Sequence, residues 1–205
     1  MNDKFRQPVE TVNLPFDMDS ILNRFDTGGK LGEYFRILLE ENRKVNLVSR
    51  ETQPEDLRRL AAESLFPLTV IDRRIGSYLD IGAGGGFPAI PILLSGQVQG
   101  EVVLIERTHK KADALGRILG GLDLKAEILP KAFEEIQPPR RFDLITLRYV
   151  KLSLPLLKKI LSSLAPGGKL VHYSGPLSTR PTCDCHPYTF FSPESSINKQ
   201  FTVYC

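Results

Sequence analysis

Residues 80–88 have the sequence Asp-Ile-Gly-Ala-Gly-Gly-Gly-Phe-Pro, a glycine-rich turn that is typical of α/β proteins. It follows a short apolar segment at 78–81, which predicts a strand, and it precedes a predicted helix. Glycines at such a turn permit positive φ angles and a close approach between a ligand and the backbone. Open α/β sheets bind ligands at the carboxyl ends of their strands, where the strand order switches. The stretch therefore predicts an α/β protein with a ligand site at this loop.

The rest of the C-terminal two thirds alternates between apolar strands and amphipathic helices. Because the strands are apolar on both faces, we predict a mainly parallel, seven-stranded sheet with helices on both faces. A terminal antiparallel hairpin supplies the last two strands, and residues 175–187 are predicted to form a loop. The predicted strands are 78–81, 102–105, 125–129, 142–147, 169–173, 188–191 and 201–204, and helices are predicted at 108–119 and 152–164.

The N-terminal third shows helical spacing and no strand pattern. One helix is predicted after Asp17 or Asp19, a second ends near Asn46, and a third begins after Pro54. We therefore predict an N-terminal helical cap over residues 1–72, either as part of the same domain or as an appendage. Residues 73–205 then form the ligand-binding domain.

Composition narrows the class of protein. The chain has 205 residues, of which 41% are hydrophobic and 25% charged, so a disordered protein is excluded. No apolar run reaches ~18 residues, which predicts no transmembrane helix. The first ten residues are polar, and we expect a cytoplasmic protein.

Charge is distributed unevenly along the chain. The net charge is only +3, yet residues 107–180 carry 14 basic and 6 acidic side chains. This basic half either faces an anionic partner such as nucleic acid or forms solvated helix surfaces. The segment Cys183-Asp184-Cys185-His186 contains metal-ligand residue types, but no second cluster completes a site, so we predict no bound metal.

The glycine spacing discriminates between cofactors. A dinucleotide fingerprint would require a third glycine at position 87, where the chain has Phe87. The glycines are instead Gly82, Gly84 and Gly86. They follow Asp80, an acid that suits a ligand with an ammonium or sulfonium group better than a pyrophosphate.

A second acid, Glu106, ends the next strand, 20 residues after Gly86. A carboxylate at this position accepts hydrogen bonds from two ribose hydroxyls. Together, the two acids and the glycines predict S-adenosylmethionine as cofactor. The alternative is a glycine turn without a ligand, which the position of Glu106 disfavours.

Several segments resemble one family, the RsmG (GidB) methyltransferases. The run at 80–94, with its two prolines three residues apart, resembles the family's first motif. Residues 46–50 (Asn-Leu-Val-Ser-Arg) and 63–65 (Glu-Ser-Leu) resemble its N-terminal motifs. Residues 142–148, ending in arginine, and the turn at 166–169 resemble later ones. The resemblance spans roughly residues 31 to 175.

This resemblance implies a Rossmann-like class I methyltransferase that methylates N7 of a guanine in small-subunit ribosomal RNA. The implied partner is that RNA or the assembled small subunit. We expect no membrane association and a monomeric protein.

N7 of guanine carries no proton, so the reaction needs no general base and depends on positioning and electrostatics. Arg148 ends the fourth strand of this domain and matches the family's arginine, so we predict that it positions the substrate, at the guanine edge or at a phosphate. The alternative is a salt bridge between Arg148 and Asp80 or Glu106. An aromatic partner for the base is either Tyr149 or Phe87, although Tyr149 suits the core equally well.

The remaining site predictions follow the strand ends. Ala132 and Phe133 follow the third strand, where this fold lines the adenine. Basic residues near the strand ends are candidates for RNA phosphates. The predicted cofactor-binding residues are Asp80, Gly82, Gly84, Gly86, Phe87, Glu106, Ala132, Phe133 and Arg148, and the RNA-binding candidates are Arg50, Lys110, Lys111 and Lys151.

Two other functions stay open at this point. A nicotinamide-dependent oxidoreductase is opposed by Phe87 and Asp80. A non-enzymatic RNA-binding protein on a degenerate methyltransferase fold is the other alternative. Leu60 and Ser174 favour this alternative, because they stand where the family has histidine and lysine. The segment after Gly175, which matches no family motif, also favours it.

Overall fold

The structure, a computed structural model, describes residues 10–136, 140–177, 183–192 and 197–205. Within these ranges the helices are α1 (Met18–Phe25), α2 (Leu31–Asn42), α3 (Pro54–Leu65), α4 (Ala89–Leu94), α5 (His109–Gly121) and α6 (Leu154–Ser162). The strands are β1 (Val12–Leu14), β2 (Ile75–Ile81), β3 (Val98–Ile105), β4 (Glu127–Leu129), β5 (Phe142–Leu147), β6 (Leu164–His172), β7 (Cys185–Ser192) and β8 (Ile197–Tyr204). Short 3-10 turns follow α3 and β4.

All eight strands form one sheet in the order β1-β7-β8-β6-β5-β2-β3-β4. Every neighbouring pair is parallel except those that involve β8, which runs antiparallel to both β6 and β7. The α/β class, the mainly parallel sheet and the terminal antiparallel hairpin are therefore confirmed.

The sheet has eight strands rather than the predicted seven because the N-terminal segment contributes β1. Val12 to Leu14 pair in parallel with Tyr188 to Phe190 at the sheet edge. The prediction that residues 1–72 contain no strand was wrong, since a three-residue edge strand is too short to show an alternating pattern. The three predicted N-terminal helices are present. Asp17 caps the first by accepting a hydrogen bond from the Ser20 N–H at 2.6 Å.

Residues 166–168 lie within a strand rather than in a turn between the predicted helix at 152–164 and the predicted strand at 169–173. Helix α6 ends before them at Ser162, and β6 already begins at Leu164 and runs through these glycines. Gly167 has φ +72°, and a Cβ at Gly168 would lie 2.7 Å from the Phe142 carbonyl oxygen. The glycines thus allow an irregularity in the β5–β6 register, which shifts between Phe142 and Leu144. The predicted loop at 175–187 is also shorter, because β7 begins at Cys185; residues 178–182 lie outside the described ranges.

Helices cover both faces of the sheet, as predicted. Alternating strand residues point to opposite faces, so Tyr78 packs in the core beneath α1–α5, whereas Leu79 packs in the core beneath α6. In the described residues no helix is both long and apolar enough to span a bilayer.

The strand order reverses at β2, which has β3 on one side and β5 on the other. The carboxyl ends of these three parallel strands therefore lie side by side at the switch point. Helix α2 lies close to this edge, since the Tyr34 hydroxyl donates a hydrogen bond to the Gly85 carbonyl at 2.9 Å. The fold thus brings the N-terminal helices against the glycine loop.

Candidate functional site

A cleft of about 760 Å³ opens at the carboxyl ends of β2, β3 and β5. This volume lies within the usual range for small-molecule and cofactor sites. Its walls come from the glycine loop, the ends of β3 and β4, residues 148–151 after β5, and the N-terminal segment at 47–52. The cleft is therefore at the location that the glycine loop predicts.

The glycine loop is tied to the next strand by its backbone. The N–H groups of Gly82 and Ala83 both donate to the Ile105 carbonyl, at 2.8 and 2.9 Å. Gly82, Gly84 and Gly86 all have positive φ, between +52° and +100°. The loop conformation thus requires glycine at these three positions.

The three glycines differ in what surrounds them. A Cβ at Gly84 would have only the Gly82 carbonyl within 4 Å, at 3.8 Å, so the space above it is open. A Cβ at Gly86 would lie 2.5 Å from Ile90 and 3.1 Å from the Tyr34 hydroxyl. Gly82 and Gly84 line the cleft, whereas Gly86 faces the protein interior and does not.

Glu106 is held at the cleft wall by two backbone donors. Its Oε2 accepts a hydrogen bond from Gly84 N–H at 3.0 Å, and its Oε1 accepts one from Thr108 N–H at 2.8 Å. Each carboxylate oxygen has a further lone pair for another donor. The side chain is 6% exposed, so its orientation is fixed while it still lines the cleft.

Asp80 lies deeper than its prediction as a ligand anchor implies. Its side chain is 1% exposed and is not among the residues that line the cleft. One oxygen accepts a hydrogen bond from the Thr146 hydroxyl at 2.5 Å, and the other has no hydrogen-bond partner among the described residues. Burial raises the pKa of Asp80 to about 7, against the lowering effects of Thr146 and Arg148.

The predicted adenine residues lie at the opposite wall from the N-terminal segment. Ala132 is half-buried and lines the cleft. Phe133 also lines it, although its ring is only 2% exposed and packs in the core beneath α6. Phe87 contributes a third apolar surface, 8% exposed, with its ring centroid 5.2 Å from that of Tyr34.

Arg148 is buried against α3. One terminal nitrogen, Nη2, donates to Glu63 Oε2 at 2.8 Å, and the other, Nη1, donates to the Ser64 hydroxyl at 2.8 Å and to the Leu60 carbonyl at 3.2 Å. Arg148 does form a salt bridge, but the predicted partners, Asp80 and Glu106, were wrong, because its partner is Glu63. Asp80 contributes only a longer-range charge, and Glu63 is the partner because α3 lies over the end of β5.

The RNA-binding candidates divide into two groups. Lys111 and Lys151 line the cleft together with the glycine loop and Glu106. Arg50 and Lys110 are exposed but are not among the lining residues, and Arg50 donates to the Asn46 side chain at 3.2 Å.

Sequence reasoning missed residues that act from a distance in the chain. Glu63 holds Arg148, Thr146 holds Asp80, and the Asn42 side chain accepts hydrogen bonds from Leu47 N–H and Val48 N–H, which shapes the N-terminal wall. The sequence places Glu63 in a segment that resembles a family motif, but it does not link Glu63 to Arg148. Thr146 contacts Asp80 because the parallel register of β2 and β5 pairs these two residues.

The described residues contain no group of three or more His, Cys, Asp or Glu side chains arranged to hold a metal ion. Cys183 and Cys185 are half-buried, and Cys205 is exposed. Burial raises the pKa of the first two thiols.

The family comparison identifies the class of protein. Residues 28–183 match the model of the GidB family, described as rRNA small subunit methyltransferase G. The chain belongs to this family. It is 38% identical over 146 residues to the ribosomal RNA small subunit methyltransferase G of Helicobacter acinonychis, covering 71% of this chain and 80% of that protein. The protein of the same name from Magnetococcus marinus is 30% identical over 184 residues, covering 85% and 81%.

Solved structures support the fold. Cofactor-bound Rv0187 from MTB superposes with a TM-score of 0.64 at 15% identity, covering 97% of this chain and 98% of that one. An O-methyltransferase from Bacillus cereus gives a TM-score of 0.59, covering 84% and 91%. The predicted Rossmann-like class I methyltransferase fold is therefore confirmed.

Family membership makes the chain a methyltransferase of small-subunit ribosomal RNA that depends on S-adenosylmethionine. The residues of the cleft fit this cofactor. The space above Gly84 is open, and Glu106 is a fixed acceptor beside it. An oxidoreductase is disfavoured by the same assignment.

Proposed function

We propose that this cleft binds S-adenosylmethionine and transfers its methyl group to N7 of a guanine in small-subunit ribosomal RNA. The observation that carries the proposal is Glu106, whose two oxygens are oriented by the Gly84 and Thr108 N–H groups at the wall of the cleft. A carboxylate fixed in this way is preorganised to accept hydrogen bonds from both ribose hydroxyls.

Each remaining cofactor-binding residue has a proposed part. The backbone at Gly82 and Gly84 approaches the aminoacyl end closely, while Phe87, Ala132 and Phe133 provide the apolar surface for the adenine. Gly86 acts indirectly, because it lets the loop pass Ile90 and Tyr34. Asp80 acts from beneath the loop, where its second oxygen is buried without a hydrogen-bond partner among the described residues and its charge lies under the glycines.

The chemistry needs positioning rather than proton transfer. The cofactor, when bound, supplies a methyl group activated by a sulfonium. The N7 lone pair forms the new bond to carbon as the carbon–sulfur bond breaks, and positive charge passes to the guanine ring without loss of a proton. We propose that Arg148 acts in catalysis by positioning the substrate side of the cleft, held by Glu63 and Ser64.

Binding of the RNA is proposed to use the basic rim. Lys111 and Lys151 lie where a phosphate beside the target nucleotide would pass, whereas Lys110 and Arg50 are placed for contacts farther out. We propose that the helical part of residues 1–72 caps the glycine loop and adds residues 47–52 to the cleft wall, while residues 73–205 form most of the cleft. A cytoplasmic, monomeric protein without membrane association, which acts on naked RNA or on the assembled subunit, is part of the same proposal.

The experiment is methyl transfer from labelled S-adenosylmethionine to small subunits, and separately to their naked RNA, from a strain without this methylation. The modified base is then identified by mass spectrometry. We expect 7-methylguanosine in one of the two substrates. Binding of RNA and cofactor without any transfer would contradict the proposal and favour the non-enzymatic alternative.

A further inference from the structure

Tyr149 is unusually exposed for an aromatic residue. Its side chain is 82% exposed, whereas the other large exposed hydrophobic residues among those described, Val12 and Phe191, are 47% and 53% exposed. It lies at the rim of the cleft, directly after Arg148. The alternative that Tyr149 packs in the core was therefore wrong. A single exposed ring is ordinary on a protein surface, so its exposure matters here because the ring lies beside the cleft.

The backbone at Tyr149 is also strained. Its φ is +56°, in the left-handed region that residues with a bulky side chain rarely adopt. Asp123 is the only other non-glycine residue with positive φ in the described ranges, and aspartate tolerates this region much better than tyrosine does. Such conformations concentrate at functional sites, where the surrounding structure imposes them.

Arg148 holds the ring in place. Its guanidinium carbon lies 5.1 Å from the centroid of the Tyr149 ring, and its Nη2 approaches the Tyr149 hydroxyl at 3.4 Å. The same guanidinium lies 5.4 Å from the Tyr173 ring and is fixed by Glu63. One face of Tyr149 is thus occupied by a buried, immobile cation, and the opposite face is open.

Tyr149 and Arg148 separate two cavities. The first is the cleft proposed to hold the cofactor, and the second, of about 260 Å³, lies on the other side. Polar and charged groups line the second cavity, including Ser174 after β6, Lys199 of β8 and Glu63, whose Oε1 lies 3.8 Å from the Lys199 ammonium. A nucleic-acid strand that crosses this rim would pass directly over the ring.

From this arrangement we infer that Tyr149 is the platform on which the target guanine stacks; the inference rests on the proposed function. Stacking uses the faces of a base and leaves its edge free, and the N7 lone pair lies in the plane of that edge. A guanine stacked on the open face of Tyr149 would therefore leave N7 free to approach the cleft that Tyr149 lines. Aromatic stacking is also how extruded bases are commonly held. Positive charge that develops on the guanine ring during transfer is favoured by an aromatic face.

The left-handed φ provides variants that separate stacking from folding. Tyr149→Asn and Tyr149→Gly remove the ring but suit positive φ, so both should fold at least as well as the parent protein. We expect them to lose roughly ten- to one-hundred-fold in kcat/KM for subunit methylation, with S-adenosylmethionine affinity by calorimetry unchanged within two-fold. Tyr149→Phe should keep most of the activity. Phe191→Ala, which removes an exposed aromatic from outside both cavities, is the matched control and should change nothing.

A binding assay gives a readout that does not depend on turnover. The chain has no tryptophan, so Tyr149→Trp introduces a single fluorophore at the platform. In the presence of S-adenosylhomocysteine, guanosine monophosphate should quench this tryptophan more strongly than cytidine monophosphate does. A Phe191→Trp protein should show no such difference.

The outcomes distinguish the two proposals. If the parent protein methylates subunits and Tyr149→Asn does so equally well, the stacking inference is wrong and the proposed function stands. If the parent protein methylates nothing, the proposed function fails, and the tryptophan assay then decides on stacking alone. Equal quenching of the Tyr149→Trp protein by both nucleotides would overturn the inference in either case.

Discussion

The two halves of the cleft are built in different ways. In the half proposed to bind the cofactor, the loop from Gly82 to Gly84 donates backbone hydrogen bonds to the Ile105 carbonyl and to the Glu106 carboxylate at the end of the neighbouring strand. In the half proposed to bind the substrate, Arg148 is held by side chains from α3, 84 and 85 residues away in the chain. The first half is formed by a local motif, whereas the second depends on the tertiary fold. Substitutions in the first half should therefore mainly lower cofactor affinity, and substitutions of the ion pair in the second half should mainly lower the stability of the fold.

The largest effect is expected in the substrate half. The Arg148–Glu63 ion pair is only 4% exposed on both sides. Arg148→Met would leave Glu63 buried without its closest partner, and Glu63→Gln would do the same to Arg148. Each single change should lower the free energy of unfolding by about 3–5 kcal/mol, and the double variant by less than the sum.

Urea denaturation would measure this effect. The matched control is the exposed Arg36–Glu40 pair, whose removal should cost about 1 kcal/mol or less. Equal effects at the two pairs would show that the substrate half does not depend on its long-range ion pair.

Two glycines of one loop should respond in opposite ways. Gly86→Ala places a Cβ 2.5 Å from Ile90 at a φ of +100°, so it should destabilise the fold by roughly 1–3 kcal/mol. Gly84→Val also strains the backbone, at a φ of +52°, but its side chain extends into the open space of the cleft rather than into Ile90, so we expect it to destabilise the fold less than Gly86→Ala does and to reduce cofactor affinity strongly. Thermal unfolding and calorimetry on both variants give the comparison. A folded Gly84→Val protein with normal S-adenosylmethionine affinity would refute the assignment of the loop.

A smaller effect is expected in the pH dependence of stability, where two buried groups oppose each other. The pKa of Asp80 rises from 3.8 to about 7, so its contribution is present at low pH and is lost as the pH rises towards 7. Burial lowers the pKa of His172 from 6.5 to about 4, so its contribution is present above pH 6.5 and is lost as the pH falls towards 4.

Removing one group should reveal the pH dependence that the other group imposes on stability. Asp80→Asn should make stability fall more steeply between pH 7 and pH 4, and His172→Gln should make it fall less steeply or rise. Urea midpoints measured across this range test both. Parallel profiles for the two variants would show that these groups do not titrate as described.

The same contrast explains what sequence could predict. The strand–glycine–helix segment and Glu106 were placed correctly at the switch point because a βα turn and its next strand end are local features. β1 was missed because three residues at an edge carry too little pattern. The Glu63 partnership was missed because no spacing rule connects α3 with the end of β5, and the wrong acids, Asp80 and Glu106, were chosen from those already in the motif.

For Asp80, the sequence predicts the position in the chain correctly but not the burial of the side chain. Its position at the end of a strand predicts contact with the ligand. However, the Asp80 side chain points to the same face of the sheet as Tyr78, which is fully buried, so Asp80 is buried too. The roles of Asp80, Arg148, the apolar wall and the basic rim stay predictions until variants are measured.

Calorimetric titration of S-adenosylmethionine into Glu106→Ala measures whether this carboxylate holds the cofactor. Loss of the carboxylate removes two proposed ribose hydrogen bonds, each worth ~0.5–1.5 kcal/mol or more, and also releases Gly84 and Thr108. We predict a loss of affinity of roughly ten-fold or more in a protein that remains folded by circular dichroism. Glu135→Ala, an exposed acid outside the cleft lining, is the control and should bind normally. Unchanged affinity in folded Glu106→Ala would contradict the claim that this strand end forms the cofactor half of the cleft.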